Sequence, residues 1–231
     1  WIFAVGLCYF CLQSIDLNRA WIEFSQADPF WLFCAVFFNA CILLVWTSLW
    51  YLLLPKKYKA PFFRVFQANS YMSTSCNTIP FPGGHAVGVM ALARRAEVGH
   101  SVALSVLALD QLMEGFAKIF VLTLVAIFVP LPEVMSQGIF VFVGVVVIFA
   151  STLFYLAHRP PSVKEGQSAT SWTGKIKGFV SGWSVHLEIL RDFPIFSLGL
   201  FLGLLMMCVQ TLGIWAVQKS LHLDLPFWAP I

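Results

Sequence analysis

The segment Phe62–Lys118 reads FFRVFQANSYMSTSCNTIPFPGGHAVGVMALARRAEVGHSVALSVLALDQLMEGFAK, and its reading decides the fold. On either side the chain is almost continuous hydrocarbon. Polar groups and broken helices at membrane depth are costly, and they persist only where protein buries them or where they line a cavity. Within the segment, Ile79-Pro80-Phe81-Pro82-Gly83-Gly84 must break a helix. Two prolines withhold backbone donors and fix φ, while the glycine pair opens φ values closed to other residues. The pattern predicts a helix over Phe62–Tyr71, a break at the prolines, and a new helix from about His85 whose N-terminus is open to an anion. The hydroxyl and amide groups between Ser70 and Thr78 either satisfy this broken backbone or contact a ligand.

Composition sets the solvent. Of 231 residues, 59% are hydrophobic and 11% charged, with a mean hydropathy of +0.82, against roughly 25% charged in a soluble domain. The chain therefore reads as an all-α integral membrane protein, whose spans need about 20 apolar residues each. A net charge of only +3 gives no basis for binding nucleic acid, because the few basic residues follow the membrane edges. Cys8 and Cys11 form a C-x-x-C, but without a second pair or a nearby His they read as small apolar residues rather than metal ligands. No cofactor is expected.

Outward from the opening segment, five visible transmembrane helices are expected at about 1–13, 30–54, 101–129, 138–157 and 195–217. Pro29 opens the second and Pro55 stops it, with Trp46, Trp50 and Tyr51 suiting an interfacial aromatic belt. Pro130 and Pro132 end the third. The linker 158–193 holds an amphipathic interfacial helix, with Ile176, Phe179, Val180, Trp183, Leu187 and Leu190 at helical spacing and Lys175, Lys177, Glu188 and Arg191 on the other face. Both termini read as trimmed, with a sixth span beginning near the end.

Topology follows from charge. Lys56, Lys57 and Lys59 and the linker His158–Arg191 are basic, whereas the connectors Ser14–Pro29 and Leu131–Gln137 hold four acids and one base. Putting both basic segments on the cytoplasmic side requires an even number of crossings between Leu54 and Ser101. The simplest solution has none, so residues 62–98 form a re-entrant broken-helix hairpin. All of 1–231 is then a single transmembrane domain.

Asp110, Glu114 and Lys118 recur every four residues on one face of the third span, with Gln111 beside them. Charges in a span face the bundle interior or a wet cavity and pair with one another, and Glu114 before Lys118 has the favourable order. Two acids and one base leave an acid in need of a partner, for which Arg94, Arg95, Arg64 or His85 are candidates. Arg94 and Arg95 at the cytoplasmic rim suit either a lipid phosphate or a headgroup anchor, and His85 either donates to an anion or is structural. Nothing in the sequence supplies a nucleophile–base pair, a metal-ligand spacing or a phosphate loop, so no enzyme is expected.

At these residues the chain resembles the flippase-like integral membrane family related to the transmembrane region of lysylphosphatidylglycerol synthase. The family pattern runs Asn-x-x-(Leu/Ile)-Pro-x-x-x-Gly-Glu with an Arg about nine residues on, then Glu-Arg-x-x-Asp in a later span. Asn77-Thr78-Ile79-Pro80-Phe81-Pro82-Gly83-Gly84-His85 with Arg94 is similar to the first part, with Asn77 one residue nearer the Pro than the pattern has it, and Asp110-Gln111-Leu112-Met113-Glu114 is similar to the second. Ser14-Ile15-Asp16, and Trp50 with Leu52-Leu53, also match. The resemblance implies handling of a polar-headed lipid (phospholipid, polyprenyl-linked or hopanoid-like) in a bacterial cytoplasmic inner membrane, beside a glycosyltransferase, a lipid synthase or a larger membrane complex. With the residue reading, it makes Asn77, Pro80, Gly83, Gly84, His85, Arg94, Arg95, Asp110, Gln111, Glu114 and Lys118 the candidate headgroup-binding set. His85 stands where the family usually has Glu, Gln111 where it has Arg, and Leu49 where an Arg commonly precedes the Trp. These departures open an alternative: an accessory or structural subunit of a larger membrane complex that keeps the flippase-like fold.

Overall fold

A computed structural model describes residues 21–22, 24–55, 57–58, 60–79, 83–128, 133–158, 192–223 and 225. Among these, six helices follow in order: α1 Pro29–Leu53, α2 Phe62–Thr78, α3 Gly83–Arg95, α4 His100–Phe128, α5 Glu133–His158 and α6 Phe193–Ser220. The described residues hold no strand. Four helices are long and apolar enough to cross a bilayer: α1, α4, α6, and α5 over Gln137–Tyr155. The chain is thus an all-helical, multi-pass membrane protein. The expected first span at 1–13 and most of the linker 158–193 lie outside the described residues.

The ends of the helices follow from local chemistry. Asp28 caps α1, its Oδ1 accepting from the Phe30 N–H at 2.9 Å, with Pro29 at the first helical position where its missing donor costs nothing. Asp192 does the same for α6, accepting from the Ile195 N–H at 3.4 Å. Helix α3 ends with Glu97 at φ 55°, and the Val98 N–H returns to the Ala93 carbonyl at 3.1 Å, a closure in which glycine is the usual residue.

The chain divides into two compact units, Ala40–Val209 and a smaller one that draws on Trp1–Asn39 and Gln210–Pro230. In the smaller, Trp31 meets Trp215 edge to face at 5.2 Å, and Gly213 lets Phe38 approach α6 closely. In the larger, α4 is the centre: residues from Val102 to Ala117 are buried along its first half, packed against Leu49, Trp50 and Leu53 of α1 and Val65, Ala68 and Met72 of α2. Lipid tails are as apolar as these side chains, so association rests on close packing rather than on escape from water. Small residues provide that closeness. A Cβ on Gly203 of α6 would lie 3.2 Å from the Met113 carbonyl oxygen, and one on Gly115 would lie 3.2 Å from Val146 of α5.

The break predicted at the prolines produces a tight hairpin. Ile79 turns extended, at φ −114° and ψ 129°, and α3 begins at Gly83. Along the two helices Cys76 opposes Gly84 and Met72 opposes Gly88, each step forward in α2 matching a step back in α3, so the pair is antiparallel. A Cβ on Gly84 would stand 2.6 Å from the Cys76 Cα, so only glycine allows this approach. The helix does not stop at Tyr71 but continues to Thr78. Ser70, Asn77 and Thr78 donate to carbonyls four residues earlier, at 2.9, 3.0 and 3.0 Å. Their polar groups therefore return to their own helix, which makes the run compatible with helix rather than an early break.

Candidate functional site

Asp110 lies in the first half of α4 with no exposed surface. Its Oδ1 accepts a hydrogen bond from the Trp46 indole N–H of α1 at 3.1 Å. Trp50, one turn further along α1, is also fully buried. Its indole N–H is buried with no hydrogen-bond partner among the described residues. The two indoles meet edge to face at 6.1 Å. Trp46 and Trp50 therefore turn inward to Asp110 rather than forming an interfacial belt, and of the three expected belt residues Tyr51 remains outside, against Phe62. Of the candidate partners named from sequence, Arg64 is paired with Glu97 and Arg95 with the Tyr71 hydroxyl at 3.0 Å. An indole serves where a cation was expected.

From Asp110 the polar face runs outward. The exposed Gln111 amide donates to Asp110 Oδ2 at 3.5 Å and to Glu114 Oε2 at 3.4 Å, so it ties the two acids together. Glu114 is paired with Lys118 at 2.6 Å, with side-chain exposures of 23% and 42%. The stripe thus grades from a sealed carboxyl to a half-open ion pair within two turns of one helix.

A second buried polar contact joins α1 to α2. Asn69 and Thr47 are both fully buried, the Asn69 amide lying 3.5 Å from Thr47 Oγ1 while the threonine hydroxyl donates to the Leu43 carbonyl at 2.7 Å. Asn69 Oδ1 has no donor among the described residues. Sequence reading named none of Trp46, Thr47 and Asn69 as a site residue. The signal for Asn69 was present as an amide on the apolar face shared by Val65, Ala68 and Met72.

The remaining candidates divide by position. At the hairpin tip, Gly83 and Gly84 are packing residues: a Cβ on Gly83 would come within 2.5 Å of the Ile79 side chain. His85 Nδ1 lies 3.8 Å from Cys76 Sγ across the hairpin, a thiol–imidazole approach that sequence separation concealed. Cys76 is itself exposed. Asn77 is exposed and bonded to its own helix, and Pro80 lies outside the described residues. At the opposite end of the hairpin, Arg95 also stacks over the Tyr71 ring at 5.4 Å, while Arg94 is exposed. The structure therefore brings together Asp110, Gln111, Glu114 and Lys118 on one face, and separates Arg94 and Arg95 from His85 by the length of α3. The described residues hold no cluster of three metal-ligating side chains.

The family model for the lysylphosphatidylglycerol synthase TM region matches residues 1–229. The chain belongs to that family. Membership points to a membrane protein of lipid metabolism or transport. No curated protein and no solved structure gave a significant match.

Proposed function

We propose that this member of the family binds and translocates a polar-headed lipid without performing covalent chemistry, as a multi-pass protein of a bacterial cytoplasmic membrane. The observation that carries this reading is the Glu114–Lys118 pair. Glu114 is the fifteenth of 29 residues in α4, about 21 Å along a helix of about 43 Å, so the pair falls near the middle of a span while staying part-exposed. Hydrocarbon cannot solvate such charges, which argues for a wet or ligand-filled groove along this face. Gln111 lines the groove beside them, and Asp110 with Trp46 forms its closed end. The hairpin of α2 and α3 is the second component. At 17 and 13 residues its helices are about 25 and 20 Å long, each short of a hydrocarbon core of about 30 Å, which suits a re-entrant element. Arg94 and Arg95 then stand at the cytoplasmic rim, where a headgroup phosphate would first be met.

Native mass spectrometry of the protein released from its own membrane tests this reading. Co-purification of one headgroup class, lost in Glu114→Gln/Lys118→Met, is expected. Equal lipid loads in the two proteins would overturn it.

A second reading, an accessory subunit of a larger membrane complex, is favoured by His85. The side chain standing where an acid is usual lies against Cys76 within the hairpin, so the tip is built for packing as much as for charge. In that case the polar face of α4 meets another chain, with a glycosyltransferase or a lipid synthase as the expected neighbour. The protein would then leave mild detergent in a stable complex rather than alone.

A further inference from the structure

We infer that Glu97 and Arg64 form a clasp that closes the open end of the α2–α3 hairpin and makes its two helices one cooperative unit. Two independent features carry this. The first is backbone conformation. Glu97 sits at φ 55°, in the left-handed region where a side chain is disfavoured and glycine is not. The helix end itself explains only why some residue occupies that region. The Val98 N–H reaches the Ala93 carbonyl and the Ala96 N–H the Leu92 carbonyl, at 3.1 and 2.9 Å, and glycine would make both bonds without strain. The second is what the carboxylate does: it pairs with Arg64, in the first turn of α2, 33 residues earlier. An outlier whose side chain makes a specific long-range contact is a reason to look for a role.

His222 supplies an internal comparison. It also has φ 55°, just beyond α6, where the Leu223 N–H returns to the Gln218 carbonyl at 3.0 Å. Its side chain has no hydrogen-bond or ion-pair partner among the described residues. The described residues thus hold two helix ends of the same kind, one with a cross-hairpin ion pair and one without. Arg95 adds a second tie at the same end of the hairpin through Tyr71, whereas contact further along depends on glycine approach at Gly88 and Gly84. The pair is exposed, at 46% for Arg64 and 75% for Glu97, so its effect on global stability is small. Its effect on local opening of the hairpin is what the clasp predicts.

Hydrogen exchange on the full chain in nanodiscs, read by mass spectrometry, tests the clasp without any lipid-transport assay. Its outcome therefore stands apart from that of the proposed function. Glu97→Gln, which removes the charge and keeps the backbone conformation, and Arg64→Gln should each speed exchange in both hairpin helices by roughly 1.4- to fivefold, the range spanned by exposed ion pairs. The double variant should add nothing further, and the reversed pair Arg64→Glu/Glu97→Arg should restore protection. Unchanged protection in the core of α4 reports an intact fold. If Glu97→Gln leaves exchange in the hairpin helices unchanged, or if the reversed pair restores nothing, the clasp is overturned.

Discussion

Replacing Trp46 by Phe removes one hydrogen-bond donor and little else. The ring stays apolar and its contact with Trp50 is broadly kept, but Asp110 Oδ1, fully buried, loses the bond it accepts at 3.1 Å. A hydrogen bond to a buried carboxyl group contributes about 1.5–3 kcal/mol, and the long Gln111 contact to Oδ2 at 3.5 Å does not replace it. For a chain of this length that corresponds to a fall in Tm of roughly 3–12 °C. Asp110→Leu should cost a comparable amount, because it strands the Trp46 N–H in an apolar interior. The double variant is the informative one. Removing both partners leaves neither group unsatisfied, so it should be more stable than the sum of the single losses by roughly 1–3 kcal/mol. Thermal unfolding of the four proteins in one detergent provides the cycle. Strict additivity would refute the reasoning, since it would mean that the bond between α1 and α4 does not hold these residues.

Other expectations follow from single contacts. Gly84→Ala drives a methyl into the Cys76 backbone and should destabilise by about 1–3 kcal/mol, whereas Gly138→Ala, with nothing within 4 Å, should be neutral or stabilise by up to about 1 kcal/mol. Equal Tm shifts for the two would contradict the hairpin packing. Asn69→Leu removes a buried oxygen that has no donor among the described residues, and should leave stability unchanged or raise it by about 1 kcal/mol; a clear loss by thermal unfolding would show that the amide is satisfied.

What could be read in the sequence was what period and punctuation encode. The four-residue repeat of Asp110, Glu114 and Lys118 placed them on one face, and Pro80, Pro82 and the glycine pair located the break between α2 and α3. What could not be read was direction across helices. Trp46 and Trp50 carry the composition of an interfacial belt, and only packing against α4 turns them towards Asp110. The groups of Ser70 to Thr78 were left between satisfying a broken backbone and contacting a ligand, because hydroxyls and amides can bond backbone groups in more than one way. Their bonds to carbonyls four residues back show the helical choice winning. Gly203 of α6 packs on the Met113 backbone, a partner that the fold alone sets. Glu97 gave no signal, because left-handed φ at a glutamate is invisible in one sequence.

The account rests most on the claim that the polar face of α4 is a path for a headgroup. The direct measurement is lipid movement in vesicles reconstituted with the purified protein. Fluorophore-tagged phosphatidylglycerol or phosphatidylethanolamine serves as probe, and a membrane-impermeant quencher reports how much of it reaches the outer leaflet. The intact chain should speed the exchange of at least one probe over empty vesicles. Glu114→Gln/Lys118→Met, folded by the thermal criterion above, should return it to the empty-vesicle rate. Movement at the same rate through both proteins would contradict the claim.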